Sequence, residues 1–172
     1  GQEKEEDTVK LSKMNLAVHG LGGDIKQGIS YYEDLHESIN KFDYAMANPP
    51  FNVSGVNKEK IKKDKRFFLG IPSNDNANYL WIQMIYSALN DKGKAGLVMA
   101  NIASESRSSE LEIRKKLILT KSFDVVISVR ANFFYTVTNA CTLWFFDKNK
   151  INDTRKNKIL FIDAREIFEK ID

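Results

Sequence analysis

The sequence predicts an α/β fold, a doubly wound and mainly parallel sheet covered by helices on both faces, from three observations. Short apolar runs alternate with longer segments of helical periodicity. The spacing between the runs leaves room for a right-handed helical crossover each time. The 172 residues, 42% hydrophobic and 28% charged, suffice for one domain with its own core.

The elements follow in order. From Asp7 to His19, Val9, Leu11, Met14, Leu16 and Val18 approximate one face of a helix, with Asp7 or Thr8 as cap and Gly20 as stop. Phe42 to Ala47 reads as a strand that ends against Asn48-Pro49-Pro50, where proline removes the ladder donors. A polar, basic loop spans Asn52 to Asn76, and a loop of that length in a compact domain is more often functional than idle. A helix from Asn76 to Asn90 presents Tyr79, Leu80, Ile82, Gln83, Ile85, Tyr86 and Leu89 and closes at Asp91-Lys92-Gly93. Ala95 to Ala100 is a buried strand, and Ser109-Glu110-Leu111-Glu112 resembles a capping box opening a helix through Leu119. Phe123 to Val129 and Ala140 to Phe146 are further strands. A charged connection, Asp147 to Lys158, leads to the apolar run Ile159 to Ile162 and a last helix from Ala164.

Composition narrows the function classes. The longest apolar stretches, Ala95 to Ala100 and Ala140 to Phe146, fall far short of the ~20 residues of a spanning helix, so no membrane is expected. Gly-Gln-Glu-Lys-Glu-Glu-Asp at the start has no apolar region of a signal peptide and reads as cut from a longer chain. The single cysteine, Cys141, lies in an apolar run, reads as core, and suits a reducing cytoplasm. With His19 and His36 as the only histidines, a metal site has no ligand set and none is expected. A net charge of +3 permits an anionic partner without demanding one.

Ligands of open α/β sheets bind beyond the C-terminal strand ends, here after Ala47, Ala100 and Val129. Directly after the first of these stands Asn48-Pro49-Pro50-Phe51, which matches the Asn-Pro-Pro-aromatic motif of amino-group DNA methyltransferases. The chemistry accounts for the residue types. The adenine N6 lone pair is delocalised into the ring, and two acceptors, the Asn48 side-chain oxygen and the Pro49 carbonyl, would hold the nitrogen toward a tetrahedral geometry. Pro49 fixes its own φ, and Pro50 keeps residue 49 extended, so the acceptor carbonyl is rigid. Phe51 would stack on a base turned out of the duplex.

Further blocks extend the likeness from Gly1 to about Lys150. Gly1-Gln2-Glu3, Met14 to Gly20, Tyr31-Tyr32-Glu33-Asp34, Asn76 to Ile82 and Gly93 to Asn101 stand in the order of the modification subunits of type I restriction systems, which the chain resembles. The resemblance implies an N6-adenine DNA methyltransferase with a Rossmann-like fold of the S-adenosylmethionine-dependent type. Residues 1–150 would form the catalytic half of its domain, and residues 151–172 a charged connection, a short strand and the start of a C-terminal segment. It implies S-adenosylmethionine as cofactor, with Glu3 accepting from the ribose hydroxyls and Asn48 beside the methyl group. Ile29 stands where the family has a polar contact to the cofactor adenine, leaving Ser30 or Asp24 as substitutes. Phe134, with Tyr135 as runner-up, would face the base from its second side. Lys58, Lys60, Lys62, Lys63, Lys65 and Arg66 would meet DNA phosphates. Double-stranded DNA with a flipped adenine, a specificity subunit and a restriction subunit are the implied partners. The family's glycine-rich cofactor loop lies upstream of the residue equated with Glu3, so residues 1–172 by themselves are expected to be inactive. Cytosine-N4, RNA or protein-glutamine methylation uses similar motifs, and a non-catalytic DNA-binding or structural module with a degenerate methyltransferase fold is the competing class.

Overall fold

The computed structural model describes residues 1–105, 108–133, 138–167 and 169. Strand β1 (Gln2–Glu3) leads into helix α1 (Glu6–Val18), and β2 (Lys26–Gln27) returns parallel to β1. Then come β3 (Phe42–Ala47), a short helix α2 (Lys58–Ile61), a 3-10 turn (Lys65–Phe67) and α3 (Asn78–Ala88). The chain continues as β4 (Leu89–Ala100), α4 (Ile102–Glu105), α5 (Ser108–Leu119), β5 (Phe123–Val129), β6 (Cys141–Asp147) and β7 (Leu160–Asp163).

The main sheet has the order β3-β4-β6-β5-β7 and is mixed: β3, β4, β5 and β7 run the same way, as expected of a mainly parallel sheet, and β6 runs against them. β3 pairs with β4 and β5 with β7 in parallel, whereas β6 enters between β4 and β5 antiparallel to both. The connection from Val129 to Cys141 is about the minimum for a crossover, and β6 returns against β5 as its antiparallel partner.

One face of the sheet carries the core. Leu97, Met99, Trp144, Phe146, Phe123 and Val126 meet Tyr79, Ile82 and Tyr86 of α3 and Ile113 and Leu117 of α5. Phe123 packs against Trp144 and Phe146 with ring centroids 4.9 Å apart in each case. Among the described residues no helix covers the other face along β3, where Tyr44 is 77% and Met46 89% exposed. A second apolar cluster lies around α3: Ile61, Phe67, Ala77, Leu80 and Met84 gather Tyr31, Tyr32, Val53, Val56, Ile71 and Trp81. The segment expected as a polar loop is therefore anchored by its own small core.

Several boundaries move. α1 buries Val9 but leaves Leu11, Met14 and Val18 exposed, and Glu5 rather than Asp7 or Thr8 occupies its cap position, without a side-chain bond. α3 stops at Ala88 because Leu89 already pairs with Phe42. Gly93 is no helix stop: a Cβ there would lie 2.8 Å from the Phe42 carbonyl oxygen, so it admits a close strand approach. Ser109 spends its hydroxyl on Ser73 rather than on the helix end, and α5 begins at Ser108, whose φ is 55°. The charged connection holds the buried Lys150, whose ammonium donates to the carbonyls of Phe123 (2.6 Å) and Lys158 and pairs with Asp124 at 3.3 Å. The expected last helix is a turn at Ala164–Ile167 as far as described.

Candidate active site

β3 runs in register with β4 as far as Ala47 opposite Leu97, and the ladder ends there because residues 49 and 50 have no N–H to give. Pro49 is buried, Phe51 half-buried, and Asn48 exposed. Asn48 lies at the rim of a cavity of about 330 Å³ formed by Met46, Ala47, Gly96, Leu97, Val98, Leu143 and Phe145 on the open sheet face. Among the described residues its amide has no protein partner, so its oxygen is available to a ligand. The chain leaves the tetrapeptide through Asn52, whose φ of 56° puts it in the left-handed region.

Glu3 ends β1, with one carboxylate oxygen accepting from the Glu5 N–H at 3.0 Å. The Gly28 N–H donates to the Glu3 carbonyl at 2.9 Å, which brings the turn through Ile29 and Ser30 beside the end of β1. A Cβ at Gly28 would sit 2.7 Å from Leu35 Cδ1 and 2.9 Å from Glu33 Oε2, the movable ends of two exposed side chains, so a larger residue would displace them. Asp24 is not brought to this end. It precedes β2, and its carboxylate faces Lys26 at 3.6 Å and His36 at 3.4 Å. Gly20, Gly22 and Gly23 follow α1 rather than a strand and so do not form a cofactor loop.

The basic run divides. Arg66 is 4% exposed and belongs to the interior. Its guanidinium grips Asp64 at 2.6 to 3.1 Å and donates to the carbonyls of Ser30 (2.9 Å) and Glu33 (3.1 Å), tying the turn after β2 to the segment after the tetrapeptide. Burial alone would raise the Asp64 carboxyl, but the hydrogen bonds and charge of Arg66 outweigh it and hold the carboxyl below its ordinary value. Lys58 also folds back, onto the carbonyls of Ser73 (2.8 Å) and Asn74 (2.6 Å). Arg66 is thereby committed to Asp64 and to carbonyls, and Lys58 spends two of its three ammonium donors on carbonyls. Lys60, Lys62, Lys63 and Lys65 remain exposed. Lys60 stands over the Tyr32 ring at 5.5 Å, and Lys62 pairs with Glu59 at 3.6 Å. Phe134 and Tyr135 lie outside the described residues, and the preceding Phe133 is 49% exposed.

Two further cross-links join the same segments: the Asn57 N–H donates to the Tyr32 hydroxyl at 2.9 Å, and the Trp81 indole donates to Tyr31 at 2.8 Å. Sequence reasoning missed this bracing, since the groups that Arg66 and Asn57 meet lie in the distant turn after β2.

A mixed α/β sheet with an Asn-Pro-Pro-aromatic turn beyond one strand defines the class. The fold is shared with a Listeria monocytogenes protein assigned to the class I S-adenosylmethionine-dependent methyltransferases, at 12% identity and a TM-score of 0.72 over 95% of this chain and 48% of that one. The chain belongs to the N-6 DNA Methylase family, whose model matches residues 1–172. It is 38% identical to the type I restriction enzyme MjaIX methylase subunit of Methanocaldococcus jannaschii over 99% of this chain and 31% of that protein. It is 25% identical, with a TM-score of 0.88, to the type I restriction-modification methyltransferase subunit of Streptococcus thermophilus, covering 100% of this chain and 37% of that one. The chain thus spans about a third of the length of such relatives. Among the described residues no helix is long and apolar enough to cross a membrane.

Proposed function

We propose that the chain is the target-base part of an adenine-N6 DNA methyltransferase, the methylase subunit of a type I restriction-modification system working in the cytoplasm with a specificity and a restriction subunit. The observation that carries the proposal is the exposed Asn48 directly beyond the end of β3, next to two prolines that stiffen the following carbonyl. The Asn48 Oδ1 and the Pro49 carbonyl accept the two hydrogens of the exocyclic amine, which frees its lone pair from the ring. Phe51 stacks on the extruded adenine, with Phe134 assigned to the opposite face, and Lys60, Lys62, Lys63 and Lys65 meet the phosphates around it.

The residues present suit the sugar and base end of S-adenosylmethionine. Glu3 uses one carboxylate oxygen on the Glu5 N–H, which among the described residues leaves the second to ribose hydroxyls, and the Gly28 N–H on the Glu3 carbonyl keeps the turn to Ser30 beside it. When bound, that cofactor supplies an electrophilic methyl group on sulfur. Ser30 is the better placed substitute for the adenine contact, since Asp24 stands at the other end of β2.

The test uses the full-length subunit with its specificity partner, radiolabelled S-adenosylmethionine and DNA, followed by nucleoside mass spectrometry. N6-methyladenine is expected, with transfer lost in Asn48→Ala while the melting curve is retained. N4-methylcytosine as product, or full transfer by Asn48→Ala, would overturn the proposal.

A further inference from the structure

The tetrapeptide is held firmly on its entry side, where β3 is paired with β4 up to Ala47. On its exit side the ladder is gone, and the next residue, Asn52, sits at φ 56° in the left-handed region, which asparagine tolerates better than most residues, and its place there is held by support from elsewhere in the chain. The support comes from the start of α3. The Asn52 N–H donates to Asn78 Oδ1 at 3.0 Å, and Asn78 Nδ2 donates back to Asn52 Oδ1 at 3.0 Å, a reciprocal pair of amide bonds. Asn76 Nδ2 donates to the same Asn52 oxygen at 3.1 Å, while Asn76 Oδ1 accepts from the Asn78 N–H at 2.8 Å. One residue on, the Ala77 N–H donates to the Val53 carbonyl at 2.9 Å.

Asn78 is 2% exposed, so each hydrogen bond its amide fails to make carries the full desolvation penalty of a buried polar group. Its side chain does not cap its own helix: Ala77 holds the cap position without a side-chain bond, and the N–H of Asn78 itself goes to Asn76 Oδ1. Both atoms of the Asn78 amide go instead to the residue that follows Phe51. Only Pro50 and Phe51 stand between the Pro49 carbonyl and Asn52, and the φ of Pro50 is fixed by its ring. A displacement of Asn52 is therefore passed on to the acceptor carbonyl and the Phe51 ring rather than absorbed.

We infer that Asn78, acting through Asn52, is a positioning residue that sets the geometry of the Asn48–Phe51 tetrapeptide for methyl transfer. The inference rests on the proposed methyltransferase reading. Asn78 itself touches neither base nor cofactor. Its contribution is to the reaction step, where a displacement of an ångström is costly, and not to the affinity for DNA or cofactor.

The full-length subunit with its partner is assayed for kcat and for the KM of S-adenosylmethionine and DNA, with melting curves alongside. Asn78→Ala removes both reciprocal bonds, whereas Asn52→Gly removes the Oδ1 that accepts from Asn78 and Asn76 but keeps the backbone N–H; the glycine also keeps the left-handed backbone accessible and so guards against a folding failure of the first variant. Both are expected to lower kcat between about 10- and 100-fold with each KM within about twofold. Asn52→Asp, which keeps the acceptor for both amides, is expected to recover most of the lost rate. Wild-type kcat in Asn52→Gly and in folded Asn78→Ala, with Asn48→Ala inactive in the same preparations, overturns the inference and leaves the methyltransferase reading intact. Wild-type transfer by Asn48→Ala overturns the reading itself, and the inference with it.

Discussion

Replacing Arg66 with alanine separates a structural role from a DNA contact. In the folded chain the guanidinium satisfies Asp64 and the carbonyls of Ser30 and Glu33 from a position 4% exposed. Removing it leaves a carboxylate and two carbonyls without their donor. Loss of one partner of a buried pair costs about 3–5 kcal/mol, and the 22% exposure of the Asp64 side chain, which lets water in, argues for about 3 kcal/mol. For a chain of this size that is roughly 6–12 °C in melting temperature. Circular dichroism melts of Arg66→Ala against wild type measure it. The pH profile adds a sign. The Asp64 carboxyl is depressed, so the stabilisation is present above the unfolded carboxyl pKa and lost as pH falls through the lower folded value, a step the variant should lack. If Arg66 were instead a phosphate contact, the variant would melt normally and the slope of log K against log salt would fall by about one. That outcome would refute the structural reading.

The four exposed lysines carry the converse expectation. Alanine at Lys60, Lys62, Lys63 and Lys65 of the full-length subunit should flatten the salt dependence of DNA binding by about 0.9 for each phosphate no longer neutralised, with site preference unchanged, whereas Lys58→Ala should leave the slope alone. An unchanged slope in the fourfold variant would return the run to plain solvated surface. Tyr79 offers an alkaline test. Burial, opposed by Arg114, pushes its phenol from 10.0 up to about 12, and its hydroxyl donates to the Ala103 carbonyl at 2.7 Å. A raised folded pKa means stability that is complete below pH 10 and lost as pH climbs toward about 12. Tyr79→Phe should cost about 1–2 kcal/mol in neutral urea melts and then lose stability less steeply than wild type above pH 10. Parallel curves would exclude the phenol as the titrating group.

The strands were legible where burial was strong enough to write itself into composition. Phe123–Val129 is found where the apolar run stands, and Phe42–Ala47 ends at the prolines because they cannot donate. Strand direction was not legible. The run from Ala140 looks the same in either sense, and only its place between β4 and β5 makes it antiparallel. Leu89 satisfied both the helical face of α3 and the start of β4, and the pairing with Phe42 decided for the strand. In the basic run, counting charges could not tell Arg66 from Lys65, since burial depends on the distant turn at Ser30 to Glu33. The left-handed turn at Asn52 was within reach of residue type alone, but its partners at Asn76 and Asn78 come from another element.

The outer position of β3 has a consequence for how the sheet can extend. Among the described residues its far edge carries no partner strand, and its residues Phe42, Tyr44 and Met46 are 44%, 77% and 89% exposed. A row of unpaired backbone donors and acceptors flanked by apolar side chains is where a further strand can pair. With the chain spanning about a third of the length of its relatives, this edge is a place for the sheet to continue within a longer protein.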